Sequence, residues 1–168
     1  MMRTALILAA ATGMATARAE DRKPDAPYTD AAFVAMAAGC CDGGMQAAEL
    51  ATTNAKSDAV KAFAKRMIAD HKKTGEKLAA AQKTSQSGAT KLTAEHQKCL
   101  DTLRGLKGDE FDTYFMTETV KGHEMAVKEF KRAKAETKDE AVKDFAASTL
   151  PILEKHLDIA KKIQADGK

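Results

Sequence analysis

Apolar residues recur at three- and four-residue spacing along most of the chain, the mark of helices with one buried face. Val60, Phe63, Ala64, Met67, His71 and Leu78 form one such run, with Ser57 ahead of it as the expected N-cap. Phe111, Phe115, Val120, Val127 and Phe130 form a second, ending near Glu136. A third follows Thr137-Lys138-Asp139 and carries Val142, Phe145, Ile152, His156, Ile159 and Ile163. Pro151 falls inside it, and because the pattern resumes in register a kink is expected there rather than a stop. Upstream, Thr29 is placed to cap a helix from about Asp30 to Ala55, with Asp30 near its positive end. Thr84-Ser85-Gln86-Ser87-Gly88 is loop by composition, and Thr93-Ala94-Glu95-His96 opens a short helix that ends near Gly105. Short connections near residues 56 and 137 make two antiparallel hairpins, joined by the long 84–108 segment. The expected fold is all-α: an antiparallel four-helix bundle over 30–165, with a short extra helix in the middle connection.

A faint duplication supports the two-hairpin reading. Phe33 and Phe111 each stand eleven residues before a glycine, Gly44 and Gly122. Val60-Lys61-Ala62-Phe63-Ala64 is echoed by Val142-Lys143-Asp144-Phe145-Ala146, and a histidine follows each, His71 and His156.

Composition narrows the function classes. The 168 residues include 34 Ala, 3 Pro, 3 Cys and no Trp, a bias toward helix and away from sandwiches and barrels. A hydrophobic fraction of 44% with clear periodicity argues against disorder, and the length suits one domain with a real core. The formal charge of +3 is too small for a nucleic-acid footprint. The N-terminus explains much of that charge. Arg3, the apolar or small-residue stretch Thr4 to Ala17, and Ala17-Arg18-Ala19 ahead of Glu20-Asp21-Arg22-Lys23 have the form of a signal peptide. Residues 1–19 are therefore expected to be cleaved after Ala19, leaving a polar lead-in over 20–29 and a mature chain exported most simply to a bacterial periplasm. Removing Arg3 and Arg18 lowers the formal charge to +1. No Cys follows the cleavage site, so a lipid anchor is not indicated, and no later stretch reaches the ~20 apolar residues of a transmembrane helix.

The phrases Gly44-Met45-Gln46-Ala47-Ala48-Glu49-Leu50, Phe63 to His71 (FAKRMIADH), Gly122-His123-Glu124 and Leu150 to His156 (LPILEKH) resemble one family. It is the exported ferritin-like family of unknown function, domain of unknown function 4142, often labelled as outer membrane proteins. The resemblance covers roughly Asp30 to Ile163. It implies a ferritin-like bundle in the periplasm and no particular activity. The Cys40-Cys41 pair is not part of the family's pattern.

Candidate chemistry rests on the histidines. His71, His123 and His156 lie on apolar stripes of three different long helices. At ~1.5 Å per residue they stand about 21, 21 and 27 Å from their hairpin turns, near the middle of helices ~40 Å long. In the first helix Met45 (~17 Å) and Cys41 (~23 Å) reach the same level, and Glu49 lies one turn beyond Met45. Bundle cores are where facing helices build metal sites. One reading is thus a transition-metal site of His71, His123 and His156, completed by Met45, Cys41 or Glu49. The other is three core histidines whose ring nitrogens bond to carboxylates and backbone, since buried polar nitrogens need partners.

The donor types bear on which metal and which reaction. A di-iron bundle needs inward Glu-x-x-His, yet Ile68, Val120 and Leu153 stand three residues before the three histidines. That argues against ferroxidase chemistry. Imidazole with thioether or thiolate suits copper, and three imidazoles with one further ligand suit zinc. Few aromatics and no Cys-x-x-Cys-His argue against haem. There is no Gly-rich phosphate loop, hence no nucleotide site, and no Ser-His-Asp order in a strand–turn–helix context. Cys40 and Cys41 point ~100° apart on a helix, which disfavours a vicinal disulfide. A bridge from Cys99 requires the short helix to fold back over the bundle, and His96 on that helix reads as a surface residue rather than a ligand. Two functions remain: a non-enzymatic periplasmic bundle that binds copper or zinc, or a metal-free envelope stress or scaffold protein whose surface is the working part. No protein partner can be identified from these residues.

Overall fold

Three helix starts in this chain are set by side chains that hold the first free amides. The computed structural model describes residues 27–86 and 92–167, and the expected signal peptide lies outside them. Its helices are α1 (Asp30–Asn54), α2 (Asp58–Thr84), α3 (Ala94–Gly105), α4 (Gly108–Glu136) and α5 (Glu140–Asp166). Thr29 Oγ1 accepts the Ala32 N–H at 3.2 Å, Thr93 Oγ1 accepts that of His96 at 3.1 Å, and Asp139 Oδ1 accepts that of Val142 at 3.0 Å.

The start of α2 departs from expectation. Ser57 occupies the cap position but makes no side-chain capping bond. Instead Asp112, from the first turns of α4, accepts the Lys56 N–H at 3.1 Å and the Ser57 N–H at 2.7 Å. Lys56 Nζ also reaches Asp109 at 2.7 Å, and Ala55 pairs with Gly108 in an isolated bridge. Gly108 adopts φ +64°, a conformation that suits glycine, so that α4 can begin directly beside this turn. At Pro151 the helix does not stop: α5 continues through it as one helix, with the proline on an exposed face.

The four long helices form an antiparallel bundle in which α1 neighbours α2 and α4, and α5 neighbours the same two. Helix α3 folds back and packs on α1 and α4. The core divides into two clusters. One gathers Phe33, Phe130, Phe145, Val142 and Leu153, with the Phe33 and Phe130 rings 4.9 Å apart in an edge-to-face contact. The other gathers Phe63, Met67, Leu103, Phe111 and Phe115. The duplication is visible here: Phe33 packs with Phe145 at one end, and their counterparts Phe111 and Phe63 share the cluster at the other. Between the two clusters, at mid-height, lies a layer of imidazoles and small residues.

Candidate metal centre

Each histidine of that layer enters from a different helix and is oriented by a different partner. His123 on α4 is buried, and its Nδ1 lies 2.9 Å from the Thr119 carbonyl one turn earlier. A carbonyl only accepts, so Nδ1–H donates and the lone pair sits on Nε2. His156 on α5 is 1% exposed and donates Nε2–H to Asp70 Oδ2 of α2 at 3.0 Å, which leaves its lone pair on Nδ1. His71 on α2 has Nδ1 3.2 Å from Cys41 Sγ of α1. The nitrogens opposite these bonds, His71 Nε2, His123 Nε2 and His156 Nδ1, are buried without a hydrogen-bond partner.

The rings converge. His123 and His156 have centroids 5.5 Å apart, His71 and His156 6.1 Å apart, and Phe63 closes over His156 edge-on at 5.8 Å. One nitrogen from each of the three imidazoles lies within 4.8 Å of the other two. Burial pushes His71 down to about 4, helped by its two imidazole neighbours, and burial likewise pushes His123 to about 4 against the pull of its carbonyl partner. Burial lowers His156 as well, although Asp70 opposes it. Burial raises the Asp70 carboxyl, but the hydrogen bond and charge of His156, with Arg66 3.4 Å away and Lys73, hold it below its ordinary value. The layer is therefore a set of neutral imidazoles with one carboxylate outside it.

The other candidates on α1 divide. Cys41 touches the layer through His71 Nδ1, on the far side of the ring from Nε2, so it orients that ring. Glu49 is exposed, and Met45 is half-buried and lines neither of the two cavities that border the histidines. The residue of α1 that faces His71 is Gly44, where a Cβ would stand 3.6 Å from His71 Cε1. Met45 is turned ~100° from Gly44 and Glu49 ~140°, which takes both off that line. All three cysteines are free thiols, with Cys40 pushed up to about 11 by burial and by Cys41 beside it.

Two residues outside the expected set belong to the surroundings of the site. Met67 is 2% exposed, and its methyl stands 4.0 Å from the Cβ position at Gly44, as does the nearby His71 ring at 3.6 Å. Its position four residues before His71, on the same helix face, is the signal that could have found it. His96 is not a simple surface residue. It packs against Gly43, where a Cβ would meet its Cγ at 3.2 Å, and its Nδ1 is buried without a partner.

Comparison with known proteins places this geometry in context. The family described as "Domain of unknown function (DUF4142)" matches residues 13–163, and the chain belongs to it. No curated protein matches the sequence. Among solved structures, "CopM in the Cu(II)-bound form" is similar at 18% identity with a TM-score of 0.69, covering 85% of this chain and 100% of that one. "CopM in the Ag-bound form" is similar at 18% identity and 0.68, covering 83% and 98%. At that identity the likeness is one of fold: a helical bundle.

Proposed function

We propose that this member of the DUF4142 family is a non-enzymatic, periplasmic metal-binding bundle that holds copper through His71, His123 and His156. The observation that carries the reading is the set of three buried ring nitrogens, His71 Nε2, His123 Nε2 and His156 Nδ1, with no hydrogen-bond partner. Leaving a buried polar atom unpaired costs ~1–3 kcal/mol, and a shared cation satisfies all three nitrogens at once. Metal–imidazole bonds of about 2.0 Å bring ligand nitrogens to roughly 3.5 Å of one another. From 4.8 Å, small ring rotations close that gap.

The surroundings support the same reading. His123 and His156 donate their other N–H groups to a carbonyl and a carboxylate, the partners that commonly orient metal-bound imidazoles. The rings are already neutral near pH 7, so a metal displaces no proton from them. No Asp or Glu joins the group among the described residues, which favours copper or zinc over a di-iron centre. Copper is preferred because Met67, a thioether residue, lines the same cavity as His71 and His123, and because bundles of this fold bind Cu(II) and Ag in CopM. The expected signal peptide at 1–19 supports export.

Titration of the reduced mature chain with Cu(I) and Cu(II), with zinc as a comparison, tests the assignment. Saturable copper binding is expected, together with a higher melting temperature by mass action. The combined change of His71, His123 and His156 to Ala is expected to abolish both. A wild-type chain that melts identically with and without copper would show that the imidazoles are structural.

A further inference from the structure

A cavity of about 120 Å³ lies beneath α3, between α1 and α4. Glycines help to shape it. A Cβ at Gly122 would meet nothing within 4 Å, one at Gly44 would reach His71 at ordinary contact distance, and one at Gly43 would press on His96 at 3.2 Å. The α1 wall is thus bare backbone at the point where it meets the imidazole layer. His71 and His123 border the inner end of this space, each with its Nε2 buried and unpartnered. The outer side carries Met125, which is 47% exposed and the one exposed large hydrophobic residue among those described.

Between the two ends the lining is rich in soft donors. His96 contributes a ring whose buried Nδ1 has no partner, and the Cys40 and Cys99 thiols and the Met67 thioether border the same space. Glu118 lines it too, and Asp42 and Glu95 lie near enough to His96 to act on its charge. Carboxylates around the mouth raise the local concentration of a cation, and imidazole, thiol and thioether suit a soft one. Among the described residues, however, His71, His123 and His156 form the one group of His, Cys, Asp and Glu ligands close enough to share an ion. The cavity donors therefore form successive single contacts rather than a second closed site. A smaller cavity, about 40 Å³, also reaches His71 and His156, but Phe130, Phe145 and Leu78 wall it.

We propose that the cavity under α3 is the uptake route for a soft monovalent metal ion, with His96 as the relay ligand between the surface at Met125 and the Nε2 atoms of His71 and His123. The proposal rests on the metal-binding reading above and adds to it a path and a residue. Each step exchanges one neutral donor for another, so the ion moves inward without a change of charge or oxidation state. A relay lowers the barrier in both directions, so its loss slows capture and release alike and leaves their ratio unchanged.

Stopped-flow transfer of Cu(I) from a chromophoric chelator to the reduced full chain tests it, with the same chelator in excess to follow release. His96→Ala is expected to slow both by tenfold or more. Gly122→Leu, which fills the void without touching His96, is expected to slow both as well, and the exposed Lys128→Ala is expected to match wild type. Circular dichroism confirms that each variant is folded. Wild-type rates in both His96→Ala and Gly122→Leu overturn the route while leaving the metal site intact. Faster release at an unchanged capture rate in His96→Ala also overturns it, since His96 would then be a resident ligand. A wild-type chain that takes up no more Cu(I) than the His71, His123 and His156 triple Ala variant overturns the metal site and the route together.

Discussion

Single residues decide which nitrogens the layer can offer. The Thr119 carbonyl and the Asp70 carboxylate each claim one N–H, and each bond leaves the opposite ring nitrogen bare toward the middle of the bundle. Asp70 is the more informative of the two. It precedes His71 in the chain, yet it serves His156, 86 residues away on another helix. No spacing rule connects those positions, so this partner could be found only in three dimensions. Asp70→Ala frees His156 to take the other tautomer and is expected to weaken copper binding by ~10–100-fold, the usual effect of losing such an orienting partner. Isothermal titration against wild type measures this, and an unchanged affinity would show that His156 is oriented by packing alone. Cys41 teaches a related lesson. Its height on α1 placed it correctly beside the histidines, but its contact is with Nδ1 of His71 rather than with the open side of the ring.

At the scale of elements, periodicity located α2, α4 and α5, cap and loop signals located α1 and α3, and Thr29, Thr93 and Asp139 cap their helices. Helices α2 and α4 have no side-chain cap, and at α2 the sequence points to one. A serine ahead of an apolar run is a sound N-cap signal, but the loop amides at 56 and 57 are held by Asp112 across the bundle. A charged acceptor that takes two amides fixes the turn ahead of α2 without the serine hydroxyl, because hydrogen bonds to charged groups are roughly twice as strong. Asp112→Ala is therefore expected to lower unfolding stability by ~1–3 kcal/mol, and Ser57→Ala by ~0.5 kcal/mol or less. Urea denaturation of the two variants separates these outcomes, and equal effects would contradict the assignment. Helix α3 shows the same limit of local signals. Its sequence marks a short amphipathic segment, but its seat on α1 and α4 depends on Gly43, which lets His96 approach the α1 backbone.

Across the whole molecule, a polar layer divides what would otherwise be one continuous core, and the apo protein bears the consequence in its pH response. His71 and His123 are held at about 4 in the folded chain against an ordinary value near 6.5, so the unfolded chain takes up protons first as pH falls. Stability is then complete above pH ~6.5 and lost progressively as pH drops toward ~4, by on the order of 3 kcal/mol for the pair between pH 7 and pH 5. Chemical denaturation of metal-free protein at those two pH values checks the sign. The slope is expected to flatten in the His71→Ala, His123→Ala double variant, and an equal slope would place the acid sensitivity elsewhere. The sequence by itself determined the all-α architecture, the two hairpins and the common height of the three histidines, because helical rise and periodicity are properties of the local chain. Tertiary structure decided the rest: that Gly44 rather than Met45 faces His71, that Asp70 and Asp112 serve distant helices, and that α3 roofs a cavity beside the imidazoles. These depend on the rotation of each helix about its axis and on contacts between residues far apart in sequence. Both are settled only when the two phenylalanine clusters pack and fix all four helices at once.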